Sequence, residues 1–157
     1  MYAPRVTRWF NTAGPCVPAD HYMLPPARRI PHVRTLVARH SYFIVHAPRQ
    51  VGKTTSLIAL AAELTASGQY VALVVSMIVA ANRTIRGPED LGLAESAVLS
   101  SWRRNAEKDL PPELQPPPWP AADPGTRVTA AMTEWARVCP RPLVLFVDEF
   151  DALRGEL

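Results

Sequence analysis

The strongest local pattern in the chain is that of residues 42–67, which read Tyr-Phe-Ile-Val-His-Ala-Pro-Arg-Gln-Val-Gly-Lys-Thr-Thr-Ser-Leu-Ile-Ala-Leu-Ala-Ala-Glu-Leu-Thr-Ala-Ser. The apolar, aromatic and β-branched run at 42–46 is typical of a buried strand. Ala47 to Lys53 contains Pro and Gly and is predicted to be a loop. Apolar residues then recur every three or four positions, which predicts a helix over 54–67 that Gly68 ends.

Working outward, Tyr70 to Ser76 reads as a second buried strand. Strand, helix and strand in this order predict a βαβ unit with parallel strands and a right-handed crossover. Apolar periodicity predicts further helices over 32–40, 90–109 and 126–139. Leu143 to Val147 is predicted to be a third buried strand.

The 157 residues suit one domain with a hydrophobic core. We predict an irregular Pro-rich segment over 1–31 and an α/β domain over 32–157. The domain is interrupted at 111–124, where seven of fourteen residues are proline and remove backbone donors. We interpret this stretch as an extended, solvated surface insert; the alternative is a Pro-rich ligand for a partner domain.

Composition limits the classes of function. The net charge is +3 and the pI about 9.2, but the arginines are scattered in pairs, so codon bias and a nucleic-acid patch are both open explanations. Two distant cysteines make neither a disulfide framework nor a zinc site. Neither a signal peptide nor a membrane span is recognisable, which predicts a cytoplasmic protein without membrane contact.

The loop carries a phosphate-binding pattern. Residues 47–54 match G-x-x-x-x-G-K-[ST] with alanine at the first glycine. With Thr55, the next residue of the helix, they form the expected nucleotide-binding set: Ala47, Pro48, Arg49, Gln50, Val51, Gly52, Lys53, Thr54 and Thr55. Loop and helix N–H groups would converge on the phosphates, Lys53 would place its ammonium between the outer ones, and Thr54 would offer a hydroxyl to Mg²⁺. Alanine at position 47 adds modest strain if φ is positive there. The alternative is a chance Gly-Lys-Thr at a helix start.

The third predicted strand ends in two carboxylates. Taken alone, Asp148 and Glu149 fit an acidic loop before a helix. Downstream of a P-loop they read as a Walker B pair, in which Asp148 holds Mg²⁺ and Glu149 activates the attacking water as general base. Such a pair favours a hydrolase over a kinase. No guanine-recognition run follows, which favours adenine.

Four segments together resemble the prokaryotic AAA-like ATP-binding proteins of the AAA+/STAND type. These segments, within a likeness that extends from about Trp9 to the end, are 10–16 (Phe-Asn-Thr-Ala-Gly-Pro-Cys), 22–25 (Tyr-Met-Leu-Pro), 46–55 and 144–153. The resemblance implies a P-loop NTPase with a three-layer αβα fold and a mainly parallel sheet. It also implies that the segment before His32 lies near the adenine.

The same resemblance implies parts that this chain lacks. Such ATPases continue past the Walker B strand with two more strands, a sensor residue, an arginine finger and a helical lid. We therefore expect a domain truncated after the Walker B strand, with a missing C-terminal half or an effector domain as a partner.

Three functions follow as hypotheses. The first is an ATPase domain that hydrolyses Mg-ATP when complete. The second is a non-hydrolysing nucleotide-binding switch, or an inactive gene fragment. The third, which depends on the basic pI alone, is a nucleic-acid-binding module.

Overall fold

The computed structural model describes residues 8–12, 17, 19–22, 32–46, 51–81 and 83–150. The chain divides into two compact units, Met1–Leu60 and Ala61–Leu157. The described elements, in chain order, are helix α1 (Val33–Ala38), helix α2 (Lys53–Ala66), strand β1 (Val71–Ser76), helix α3 (Ile78–Ala81), helix α4 (Pro88–Asp109), a 3₁₀ turn (Pro112–Leu114), helix α5 (Arg127–Val138) and strand β2 (Leu143–Asp148).

The described part of the N-terminal segment is irregular except for one parallel bridge between Trp9 and His21. Trp9 N–H donates to Asp20 O and Tyr22 N–H donates to Trp9 O, both at 3.0 Å. The Trp9 and His21 rings meet edge to face with centroids 5.1 Å apart. This bridge gives the segment local order without a regular element.

The predicted strand over 42–46 is wrong, because residues 41–46 take no regular secondary structure. The Tyr42 and Ile44 side chains are exposed, at 105% and 93% of their full surface. An apolar run becomes a strand only when a neighbour pairs its backbone groups. Within the described residues, β1 and β2 pair with each other instead. The predicted βαβ unit through 42–46 is therefore not formed there.

The helix predicted over 54–67 is confirmed as α2. Its periodic apolar residues are buried, as expected for one face of a helix: Leu57, Leu60, Ala61 and Leu64. Gly68 ends the helix with φ of +77°, a conformation that glycine adopts without a Cβ clash.

The sheet consists of β1 and β2 running parallel, which makes the described fold mixed α/β. Val71 is in register with Leu143, and Ser76 with Asp148. The predicted strands 70–76 and 143–147 are thus confirmed. The chain between them contains α3, α4 and α5.

Helices α4 and α5 pack against β1 in the core of the second unit. Trp102 and Trp135 are almost fully buried and join Val71, Leu73 and Val75 of β1 in one apolar cluster. Both helices had been predicted from their apolar period, and the structure confirms them. Burial of two large indoles gives a small unit much of its apolar contact area.

Side chains cover the edge of β1 that faces away from β2. Thr65 Oγ1 accepts from Ala72 N–H at 3.0 Å and donates to Ala72 O at 3.3 Å. Asn105 Nδ2 donates to Val74 O at 3.5 Å, and Trp102 Nε1 donates to Ser76 O at 3.3 Å. Four backbone groups that another strand could pair are therefore paired by side chains of α2 and α4.

The proline-rich stretch 111–124 is not the solvated insert that its composition suggested. Leu114 is buried at 3% exposure, and Trp119 packs against the core of the second unit. Arg103 donates to the carbonyl oxygens of Pro116 (3.2 Å) and Pro117 (2.5 Å), and its guanidinium lies 4.7 Å from the Trp119 ring centroid. Prolines lose a donor but keep an acceptor, so an arginine can fix them without a regular element.

A buried carboxylate joins α4 to the start of α5. Glu95, 9% exposed, accepts from Gly125 N–H at 2.7 Å through Oε2 and from Val128 N–H at 3.4 Å through Oε1. The carboxylate thus acts as a helix cap that comes from another helix.

Replacement of Glu95 by alanine is expected to lower the free energy of unfolding by about 2 kcal/mol, because it leaves two main-chain donors without an acceptor. Urea unfolding followed by circular dichroism measures this loss. The control is Glu107→Ala, at an exposed position of the same helix. Equal losses in the two variants would contradict a capping role for Glu95.

Candidate functional site

The carboxyl ends of β1 and β2 lie at one edge of the sheet, since the strands are parallel and Ser76 is in register with Asp148. Glu149 follows directly. In open α/β sheets, ligands commonly bind outside this edge. The structure therefore brings together Ser76, Asp148 and Glu149.

The Ser76 hydroxyl makes two hydrogen bonds at this edge. It donates to Glu149 Oε2 at 2.5 Å and accepts from Ile78 N–H at 3.1 Å. The first bond ties the carboxylate that follows β2 to the end of β1. The second holds the start of α3 over the same strand end.

Asp148 is buried, with 5% of its surface exposed. Its Oδ1 accepts from Glu149 N–H at 3.0 Å, and its carbonyl oxygen accepts from Met77 N–H at 3.2 Å. A carboxylate set in this position presents oxygen ligands at the strand end.

Glu149 differs from Asp148 in exposure and backbone. Its side chain is exposed, and its φ is +59°, in the left-handed region that costs a non-glycine residue about 1 kcal/mol or more. Such conformations concentrate at functional sites, where surrounding contacts hold them. Here the bond from Ser76 supplies one such contact.

The phosphate-loop residues belong to the first unit. Ala47, Pro48, Arg49 and Gln50 lie outside the described residues. Gly52 has φ of +79°, and its carbonyl oxygen accepts from Ser56 N–H (3.0 Å) and Ser56 Oγ (2.9 Å). The glycine that the motif requires thus occupies a conformation that favours glycine.

Val51 and Thr54 are exposed, while Lys53 and Thr55 are half-buried. Lys53 is the first residue of α2, so Lys53 and Thr54 open the 14-residue helix as the motif predicts. The acidic pair, Asp148 and Glu149, belongs to the second unit.

Sequence reasoning missed Ser76 as a site residue. The available signal was a hydroxyl at the last position of a predicted strand. Its importance depends on which strand lies beside it, and the chain positions of Ser76 and Glu149 differ by 73.

Neither a metal-binding cluster nor a membrane-spanning helix is found among the described residues. No group of three or more His, Cys, Asp or Glu side chains could hold a metal ion there. None of the helices in that part of the chain has the length and apolar character to cross a membrane.

Comparisons with protein-family models, with curated proteins and with solved structures find no match to this chain. Function therefore has to be inferred from the residues and their geometry.

Proposed function

We propose that this chain binds the phosphates of ATP with Mg²⁺ through residues 47–54, as part of an AAA-like P-loop ATPase domain with a three-layer αβα fold. The observation that carries the proposal is Gly52 at φ +79°, placed directly before a helix that begins with Lys53 and Thr54. The carboxylates at the end of a parallel strand support it independently. Such an ATPase would act in the cytoplasm, where ATP is abundant.

The start of α2 suits a phosphate group. Main-chain N–H groups at a helix N-terminus point outward along the axis, and the helix dipole adds positive potential there. Lys53 adds a full positive charge at the first helical position. Together these groups favour a ligand with several negative charges, as a triphosphate has.

Each unit offers one oxygen ligand of the kind that Mg²⁺ takes: the Thr54 hydroxyl in the first and the Asp148 carboxylate in the second. One or two protein oxygens are enough, because Mg²⁺ is usually bound by them together with substrate phosphates and water. A cluster of three acidic side chains is therefore not required. Bound with the nucleotide, the ion would neutralise phosphate charge.

Glu149 would act as the general base. Its carboxylate is exposed at the edge where Asp148 ends the strand, so one oxygen can accept a proton from an attacking water while Ser76 holds the other. The hydrogen bond sets the orientation of the carboxylate. Orientation of this kind contributes to rate because reacting groups must meet within about an ångström of the productive geometry.

The second candidate function is a nucleotide-binding switch that does not hydrolyse ATP. The hydrogen bond from the Ser76 hydroxyl favours this candidate, since Glu149 Oε2 is already bound within the protein. Binding would then be read out by a partner or effector domain. Single-turnover hydrolysis compared with equilibrium binding separates the two candidates.

In the complete ATPase domain, replacement of Ser76 by alanine is expected to lower kcat for ATP hydrolysis about tenfold and to leave KM within about twofold, because the base loses its orientation while the phosphate loop is unchanged. Ser76→Thr retains a hydroxyl and should restore most of the rate. Steady-state phosphate release measures both variants.

The matched control is Ser100→Ala on the exposed face of α4, where the hydroxyl bonds only within its helix. Equal kcat values for Ser76→Ala and the wild type would remove the Ser76 contact from the mechanism.

Calorimetric titration with Mg-ATP tests the proposed function itself. We expect saturable binding of one nucleotide per chain, weaker binding in the presence of EDTA, and weaker binding of Mg-GTP. Absence of binding at millimolar Mg-ATP to a folded protein would refute the proposal.

A further inference from the structure

We infer that Trp102 is a positioning residue for Glu149 and acts through Ser76. The catalytic consequence rests on the proposed function, whereas the positioning itself can be measured without nucleotide. Nothing in the sequence motifs points to Trp102, since it lies on α4 and far from both motifs in the chain.

The first step is the contact between the indole and the strand end. Trp102 is 2% exposed, and its Nε1–H donates to the Ser76 carbonyl at 3.3 Å. Ser76 is the last residue of β1, and Met77 N–H of the same peptide donates to Asp148 O at 3.2 Å. The indole bond therefore holds the carbonyl side of the peptide that leaves the strand, while β2 holds its N–H side.

The second step is from the carbonyl to the side chain of the same residue. The Ser76 hydroxyl donates to Glu149 Oε2 and accepts from Ile78 N–H. Because the carbonyl and the hydroxyl belong to one residue, a displacement of the Ser76 main chain moves the hydroxyl as well. Loss of the indole bond should therefore shift the group that holds the carboxylate.

The chain offers matched controls in two other tryptophans. Trp119 Nε1 donates to Leu99 O at 3.2 Å, and Trp135 Nε1 donates to Leu114 O at 3.3 Å. Each is an indole bond to a main-chain carbonyl, of the same kind as that of Trp102. Their acceptors lie in α4 and in the 3₁₀ turn, whereas the acceptor of Trp102 is the last residue of β1.

The test is a double-mutant cycle on the full chain, with the unfolding equilibrium constant as readout. Trp102→Phe and Glu149→Ala are measured singly and together, beside the same cycle with Trp119→Phe. We expect the combined effect of the first pair to differ from the product of the single effects by about fivefold, as for residues in one hydrogen-bond network. The control pair should agree with the product within about twofold.

A second replacement covers the case in which Trp102→Phe does not fold. Benzothienylalanine at position 102, introduced by stop-codon suppression, keeps the ring shape and exchanges the N–H for sulfur. It removes the hydrogen bond without a cavity and should show the same coupling to Glu149→Ala. Coupling within twofold, measured with whichever replacement folds, overturns the inference.

Hydrolysis provides the catalytic readout. With an active wild type, the Trp102 replacement should lower kcat about tenfold with KM within twofold, and Trp119→Phe should leave kcat within twofold. A wild type that binds no Mg-ATP would refute the proposed function, yet the unfolding cycle would still decide whether Trp102 positions Glu149. Coupling in the cycle together with an unchanged kcat would overturn the catalytic part of the inference.

Discussion

Replacement of Lys53 by alanine is expected to weaken Mg-ATP binding at least about a hundredfold, below detection in a calorimetric titration. Lys53 is the first residue of α2, so its ammonium and the helix N-terminus act on the same ligand. Hydrogen bonds to charged groups contribute about 1.5–3 kcal/mol each, and 1.4 kcal/mol is a tenfold change in affinity. Under the proposed function the Lys53 ammonium would contact two phosphates, so its loss would remove most of the measurable binding.

The chain provides a matched control, because Lys108 is its only other lysine. The Lys108 side chain is 83% exposed near the end of α4. Lys108→Ala removes the same charge from the protein and should leave affinity within about twofold. A Lys53→Ala variant that binds Mg-ATP as tightly as Lys108→Ala would argue against a phosphate site at this helix start.

In the complete ATPase domain, replacement of Glu149 by glutamine is expected to lower single-turnover hydrolysis by about 10²- to 10⁴-fold, the usual contribution of a general base, with ATP affinity nearly unchanged. The amide retains an oxygen that can accept from Ser76, so the variant keeps the hydrogen bond seen at Glu149 Oε2. What it loses is the ability to take a proton from water. Rapid quench with radiolabelled ATP measures the chemical step apart from product release.

The control for this variant is Glu107→Gln, which makes the same chemical change at an exposed position of α4. It should hydrolyse ATP at the wild-type rate. If Glu149→Gln and the wild type bind ATP equally and both fail to hydrolyse it, the non-hydrolysing switch becomes the better account.

Local pattern predicted helices α1, α2, α4 and α5 and two of the three strands, but not the short helix α3. Two features of α2 depend on residues close in the chain, and the structure confirms both. They are the buried face formed by Leu57, Leu60 and Leu64 and the end of the helix at Gly68. The run 42–46 had equally strong strand propensity and still takes no regular structure. Strand propensity describes fit to a sheet, and a sheet requires a neighbour that propensity does not supply.

For the proline-rich stretch 111–124, the sequence predicted too little packing: a solvated insert, where the structure shows contact with the core. Prolines correctly excluded a long regular element, but composition could not show that Leu114 and Trp119 lie against the core or that Arg103 binds the proline carbonyls. Those contacts join residues whose approach is decided by the packing of α4 and α5.

The sequence alone was enough to place a glycine before α2, a lysine and a threonine at the start of this helix, Asp148 at the end of β2 and Glu149 after it. Each of these placements depends on chain neighbours. Only the tertiary structure decided that Ser76 meets Glu149 and that Trp102 meets Ser76. These bonds exist because β1 pairs with β2 on one side and is covered by α4 on the other. Which elements become neighbours is set by burial of the whole core, a sum over many residues that no local pattern contains.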